Sequence, residues 1–163
     1  MYSLLPALVA SIFLGYGVFV ACTQGFTRIG TSFFVLCITS AIWQGTWAIL
    51  FQVHDPAMAM FLVKQGYLLI LFLPTSLYHF LTEVSLRTGE RRYVYFSYGM
   101  AACLALVLLF SHYFVSGYYS YFFGFYPKAG LLHPLHVLQT VLVVNRGLYI
   151  TYMQRRQVDK NRR

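Results

Sequence analysis

The sequence predicts an all-α fold: a polytopic bundle of about five transmembrane helices, with its N-terminus outside and its C-terminus in the cytoplasm. Of the 163 residues, 59% are hydrophobic and only 10% are charged, whereas soluble domains carry about 25% charged residues. Long apolar runs alternate with short segments that contain glycine and proline, as expected for spans of about 20 residues joined by turns. The chain is therefore expected to fold in lipid.

Five runs are long enough to cross a bilayer. The first has no positive charge before it, so it is interpreted as a retained span and not as a signal peptide. The last is less uniform, because it contains His133, Pro134, His136 and Arg146. The predicted spans are residues 2–23, 29–53, 57–82, 93–115 and 131–153.

Charge sets the predicted orientation. The net charge is +8, and nine of the twelve lysines and arginines fall on one side of the predicted spans. By the positive-inside rule that side is the cytoplasm. Residues 1–153 are then the transmembrane bundle, and residues 154–163 are a basic cytoplasmic tail or a truncated inner loop. The nine are Arg28, Arg87, Arg91, Arg92, Arg155, Arg156, Lys160, Arg162 and Arg163.

The segment 116–130, between the fourth and fifth spans, is unusually aromatic and contains Tyr126 and Lys128. Glycine and proline interrupt it too often for a helix in lipid. Two interpretations remain open. One is an interfacial aromatic belt, and the other is a folded cap that lines the mouth of a ligand cavity.

Polar residues recur at helical spacing inside three spans, and such residues usually face the bundle interior. In the fifth span, His136, Gln139 and Arg146 fall within roughly 80° of one face. These stripes predict a common interior, which is interpreted as a ligand cavity. The candidate ligand-binding residues are Trp43, Trp47, Lys64, Tyr67, Tyr126, Lys128, His136, Gln139 and Arg146.

Each of these residues also has a structural interpretation. Lys64 and Arg146 are able to snorkel to a boundary, and the tryptophans are able to serve as packing. A charge at the bilayer centre costs at least ~2.5 kcal/mol, and no acidic residue lies inside a predicted span to pair with either cation. The expected partners are a ligand carboxylate or carbonyl, a lipid headgroup, or lipid phosphate reached by snorkelling.

Several function classes are excluded by what the sequence lacks. The three cysteines have no CxxC spacing, and His133 and His136 have no Cys, Asp or Glu near them in sequence, so neither a metal nor a cofactor is expected. There is no HExxH, GxSxG or P-loop motif. The chain itself is therefore predicted not to be an enzyme. Its hydrophobicity also argues against nucleic-acid binding.

Two stretches carry a family resemblance. They are Ala41-Ile-Trp-Gln-Gly-Thr-Trp47, and Gly124-Phe-Tyr-Pro-Lys-Ala-Gly-Leu-Leu-His-Pro-Leu-His136 at the start of the fifth span. The sequence resembles the N-terminal seven-transmembrane sensor region of bacterial membrane histidine kinases. The resemblance implies a multi-pass protein of the bacterial inner membrane, which acts in two-component signal transduction. In such a family this region would sense an extracellular, membrane-soluble or energetic cue. The aromatic segment and the polar stripes with Lys64 and Arg146 favour a small hydrophobic or amphiphilic cue.

The sequence departs from this family in having five spans and no kinase motif, so it is interpreted as a fragment or as a short stand-alone member. The expected partners are membrane lipid, a small hydrophobic ligand, a cytoplasmic kinase or other output domain, and a second copy in a homodimer. Two alternatives stay open. One is a small integral-membrane transport or lipid-handling protein, and the other is a structural subunit of a membrane complex.

Overall fold

The computed structural model describes the backbone of residues 2–161 and the side chains of residues 2–158. The fold is mainly helical, which confirms the predicted all-α class. A short 3₁₀ turn, Thr88–Glu90, precedes the fourth helix. The helices are α1 (Leu4–Gln24), α2 (Arg28–Leu50), α3 (Pro56–Val84), α4 (Arg91–Phe110) and α5 (His133–Asn161), and two strands, β1 (Val115–Tyr121) and β2 (Gly124–Ala129), lie between α4 and α5.

Among residues 2–161, four helices are long and apolar enough to cross a membrane. The fifth, α5, is not among them, because His133, His136, Gln139, Asn145 and Arg146 lower the hydropathy of its apolar part. Membrane-spanning helices are thus supported, whereas five spans and their orientation stay predictions. The basic residues 154–161 continue α5 as helix, and the last two residues of the predicted tail, 162 and 163, lie outside the described residues.

Side-chain caps fix the starts of α2 and α3. Thr27 accepts a hydrogen bond from the Gly30 amide at 3.1 Å, and Asp55 accepts one from the Met58 amide at 2.8 Å. Such bonds satisfy amides that have no partner within the first helical turn. Proline at position 56 opens α3, where its missing N–H costs nothing.

Helix α3 is the centre of the bundle, because α2, α4 and α5 all pack on it, while α1 packs on α2. Two glycines allow close approach. A Cβ at Gly17 would lie 2.9 Å from Cys37 Cβ, and one at Gly147 of α5 would lie 2.8 Å from Leu81 Cδ1 of α3. In lipid, close packing of this kind is a main source of helix association.

The aromatic segment folds as an antiparallel β-hairpin in which Tyr121 pairs with Gly124 across the turn. The predicted fourth span reached residue 115, but α4 ends at Phe110 because Ser111 is extended and Val115 begins β1. Phe123 packs on Phe51 with ring centroids 6.0 Å apart. The segment is thus a folded cap over the ends of the helices.

The bundle has two distinct ends. At the hairpin end, Tyr2 before α1 packs on Phe122 with ring centroids 5.9 Å apart. At the opposite end, which we call the arginine end, Arg87 Nη2 donates to Gln157 Oε1 at 2.8 Å. The C-terminal part of α5 therefore lies beside the turn between α3 and α4.

Candidate functional site

Helix α5 packs mainly on α3, and a cleft runs along each of its sides. The α2–α5 cleft has a volume of about 540 Å³ and the α4–α5 cleft about 340 Å³. The α2–α5 cleft is lined by Phe13, Leu36, Ser40, Trp43, Ile70, Leu73, Pro74, Leu77, His136, Thr140 and Val144. The α4–α5 cleft is lined by Tyr78, Tyr93, Phe96, Ser97, Met100, Gln139, Leu142, Val143 and Arg146.

The lining of the α2–α5 cleft is mostly apolar and includes a few polar side chains. Three buried polar atoms of its lining residues, Trp43 Nε1, His136 Nδ1 and Thr140 Oγ1, have no hydrogen-bond partner within the described residues. His136 is only 5% exposed. A buried polar group without a partner costs about 1–3 kcal/mol. Three of the seven such side-chain atoms in the described residues belong to residues that line this one cleft.

A proline interrupts the backbone hydrogen bonds of α3 beside the same cleft. Pro74 lies inside α3 and has no N–H. The carbonyl of Ile70, one turn earlier, therefore cannot receive the usual helical hydrogen bond from residue 74. Both residues line the cleft. By contrast, the hydroxyl of Ser40 donates to the Leu36 carbonyl at 2.8 Å and is satisfied within its own helix.

Polar groups beside the α4–α5 cleft are largely paired within the protein. Gln139, 1% exposed, donates through Nε2 to the Ser97 carbonyl at 3.1 Å and lies 3.4 Å from Thr75 Oγ1. The hydroxyls of Thr75 and Ser97 lie 2.6 Å apart. This network joins α3, α4 and α5 through buried side chains, although Gln139 Oε1 has no partner in the described part of the chain.

An ion pair lies beside the α4–α5 cleft, towards the arginine end of the bundle. Arg146 donates to both carboxylate oxygens of Glu90, from Nη2 at 2.7 Å and from Nε at 3.0 Å, and Tyr78 donates to the same carboxylate at 2.7 Å. Glu90 lies in the 3₁₀ turn before α4, outside every predicted span. The sequence predicted a ligand or lipid partner for Arg146. A carboxylate of the chain itself reaches Arg146, a partner that the sequence did not indicate, and the role of Arg146 in ligand binding stays a prediction.

Other candidate residues lie near the hairpin end. Trp47 packs on Tyr126 with ring centroids 5.5 Å apart. Tyr67 packs on Phe114 at 5.8 Å, and Lys128 Nζ lies 5.8 Å from the centre of the Tyr119 ring. Tyr126 and Lys128 belong to the cap and line neither cleft.

Lys64 lies one turn before Tyr67 on α3 and is half-buried. No carboxylate within the described residues lies within 4.0 Å of its ammonium group. Lys64 lines neither cleft, and its predicted role in ligand binding stays a prediction.

The nine candidate residues thus do not meet in one interior. Trp43 and His136 line the α2–α5 cleft, whereas Gln139 and Arg146 line the other. The reason is geometric: three residues along a helix rotate the side chain by about 300°, that is, 60° back. On a helix seated against α3, that rotation moves a side chain from one side of the contact to the other.

Two functional candidates were not found from the sequence. Thr140 is four residues after His136 and therefore on the same face, so the helical spacing contained the signal. Glu90 lies in a turn, and helical spacing gives no position for a turn residue. In the described residues, no group of three or more His, Cys, Asp or Glu is placed to hold a metal ion.

The α2–α5 cleft has the size and the lining of a pocket for a small molecule. Pockets for small molecules are typically about 300–1,000 Å³, mostly apolar, with a few polar groups that fix orientation. The α2–α5 cleft has these properties. Comparison of the chain with models of protein families, with curated proteins and with solved structures gives no match.

Proposed function

We propose that the chain is the membrane-embedded input module of a signal-transduction protein, and that it binds a small hydrophobic or amphiphilic molecule in the α2–α5 cleft. The observation that carries the proposal is the set of buried polar atoms without partners, from Trp43, His136 and Thr140, around one mostly apolar cleft. A bound molecule would compensate their desolvation, which costs most where no water reaches them.

The polar groups favour a particular ligand chemistry. The indole of Trp43 is a donor only. The hydroxyl of Thr140 acts as either, and His136 Nδ1 donates or accepts according to its tautomer. A molecule with an apolar body and one hydroxyl group fits this set, because a hydroxyl both donates and accepts. An alkyl chain or ring would occupy the remaining lining of leucine, isoleucine and phenylalanine.

Helix α5 is proposed as the element that transmits binding. It forms a wall of the binding cleft through His136 and Thr140, and it continues to Asn161 at the arginine end. If the chain works as the sensor kinases that it resembles do, a cytoplasmic output domain would follow α5 at the arginine end. A ligand is able to shift α5 from one position to another only if the protein binds the ligand with different affinity in the two positions.

Membrane placement supports the same proposal. We propose that α5 is a fifth span, because Glu90 neutralises Arg146 and thereby lowers the cost of that charge in lipid. With five spans, the concentration of arginines at one end places that end in the cytoplasm and the N-terminus outside. The resemblance then assigns the protein to the bacterial inner membrane.

The test uses the fact that the chain has only two tryptophans. In a Trp47→Phe variant, Trp43 alone reports on the cleft. We expect 10-bromodecan-1-ol, whose bromine quenches indole fluorescence, to quench Trp43 with a saturable binding curve in lipid nanodiscs. Spin labels on α4 and on the C-terminal part of α5 should then report a helix displacement of about 1–2 Å at the same saturation.

The matched control is Trp43→Phe, which leaves Trp47 near the cap as the only reporter. Its quenching should rise linearly, as expected for partition into lipid. Equal, unsaturable quenching in both variants would show that the cleft binds nothing. Acceleration of phospholipid exchange between leaflets by the reconstituted chain alone would instead favour the lipid-handling alternative.

A further inference from the structure

A third pocket lies at the arginine end, away from both clefts, and its lining differs chemically from theirs. It has a volume of about 470 Å³ and is formed where α1 ends, α2 begins and α3 turns towards α4. Three arginines from two of these segments line it. The lining residues are Gln24, Thr27, Arg28, Ile29, Thr82, Glu83, Leu86, Arg87, Thr88 and Arg91.

The charges in this pocket do not balance. Arg91 is paired with buried Glu83, from Nε at 3.0 Å and from Nη2 at 3.1 Å. Arg28 and Arg87 have no carboxylate within 4.0 Å in the described part of the chain. The pocket therefore carries about two positive charges that the described side chains leave without a counterion.

Two further features point to an anion with hydrogen-bond acceptors. The first turn of α2 lies in the lining, so the positive end of its helix dipole faces the pocket. Independently, Thr82 lines the pocket and is 1% exposed, yet its hydroxyl has no hydrogen-bond partner within residues 2–158. A buried hydroxyl and two guanidinium groups without a carboxylate partner match the oxygens of a phosphate.

We propose that this pocket binds the phosphate of an anionic phospholipid headgroup. Lipid is favoured over a free anion because Ile29 and Leu86, both exposed apolar side chains, lie in the same lining. They offer a surface to acyl chains beside the headgroup. Basic pockets between helices at a membrane boundary are known to recognise headgroups in this way. The site does not depend on the sensing function, because it shares no lining residue with either cleft.

The experiment measures lipid binding to the full chain in detergent by native mass spectrometry. We expect phosphatidylglycerol to bind at least tenfold more tightly than phosphatidylcholine. An Arg28→Gln/Arg87→Gln variant should lose roughly thirtyfold of that affinity, at roughly fivefold for each charge. The matched control, Arg155→Gln/Arg156→Gln, removes the same charge from exposed positions and should change the affinity less than twofold.

A Thr82→Val variant separates binding from folding, because it keeps every charge. It should retain wild-type helicity and weaken phosphatidylglycerol severalfold. Equal binding of the two lipids, or an equal loss in the Arg155/Arg156 control, would overturn the proposal. Inorganic phosphate that binds as tightly as the lipid would overturn the lipid assignment in favour of a free anion.

Discussion

The two sides of α5 use polar residues differently. On the side facing α4, Gln139 and Arg146 are held by bonds to Ser97 and Glu90. On the side facing α2, buried polar atoms of His136 and Thr140 have no hydrogen-bond partner within the described residues. One helix therefore carries a face whose polar groups are mostly bonded within the protein, Gln139 Oε1 excepted, and a face on which we propose that a ligand bonds them.

The neighbouring helices explain this difference. Helix α4 and the turn before it supply a hydroxyl, a carbonyl and a carboxylate to the first side. Across the α2–α5 cleft stand Phe13, Leu36 and Trp43, which offer apolar surface and one N–H donor. Saturated polar networks add rigidity, whereas unsaturated ones favour a ligand. We therefore expect substitutions on the two sides to separate stability from binding.

The largest expected effect on stability is at Glu90. Glu90→Gln removes the charge that Arg146 and Tyr78 share, and we expect it to lower the free energy of unfolding by about 1.5 kcal/mol. This figure is below that of a fully buried pair, because the Arg146 side chain is 47% exposed and partly screened. Unfolding is followed by circular dichroism in mixed micelles.

The control for Glu90 is the same change in an Arg146→Gln background. There the substitution should cost much less, because the partner charge is already gone. An identical cost in both backgrounds would mean that the ion pair does not couple α5 to the turn before α4.

A smaller loss is expected at Gln139. Gln139→Leu removes the donor that links α5 to Ser97 and Thr75, but it leaves the bond between those two hydroxyls. Interhelical bonds in lipid contribute about 0.6 kcal/mol on average and up to about 1.7, so we expect about 1 kcal/mol. Gln157→Leu, the same change at an exposed site of the same helix, should cost only a few tenths. If both variants lowered the free energy of unfolding by the same amount, the buried network would contribute no more to stability than an exposed hydrogen bond.

The smallest change in stability, and the sharpest contrast, is expected at Thr140. Thr140→Val removes an unpartnered hydroxyl, so the free energy of unfolding should stay unchanged or rise by up to about 1 kcal/mol. Affinity for 10-bromodecan-1-ol, measured by Trp43 quenching, should nevertheless fall roughly fivefold, the equivalent of one hydrogen bond. Thr151→Val alters a hydroxyl that is bonded to the Gly147 carbonyl at 2.9 Å. Thr151→Val should leave the affinity unchanged. A loss of stability in Thr140→Val would contradict the interpretation that the Thr140 hydroxyl has no partner in the protein.

Hydropathy was enough to predict the first four helices, because each of their apolar runs exceeds the length that a bilayer demands. The fifth helix was predicted from the length of its run, although polar residues lower its hydropathy. The hairpin was only half predicted. Glycine and proline excluded a helix between residues 116 and 130, but cross-strand pairing depends on register and on contacts with α2 that local sequence does not contain. The predicted fourth span ended too late, at residue 115 instead of Phe110. Val115 is as apolar as the helix before it, and hydropathy does not distinguish a strand from a helix.

The candidate site was predicted in part. Trp43 and His136 were named from polar residues at helical spacing, and they line one cleft. The division of Gln139 and Arg146 into a second cleft depends on how α5 sits against α3, which periodicity alone does not determine. Glu90 was missed because a turn residue has no helical phase, and its contact with Arg146 joins positions 56 residues apart.

Gly147 gives α5 the geometry of a lever. There the helix lies directly against Leu81 and Tyr78 of α3, and at 1.5 Å per residue Thr140 is about 10 Å to one side and Asn161 about 21 Å to the other. A rocking motion about this fulcrum that shifts Thr140 by ~1 Å swings Asn161 by ~2 Å in the opposite direction. If a ligand moves α5 as we propose, the close contact at Gly147 would make the displacement at Asn161 about twice that at Thr140 and opposite in direction.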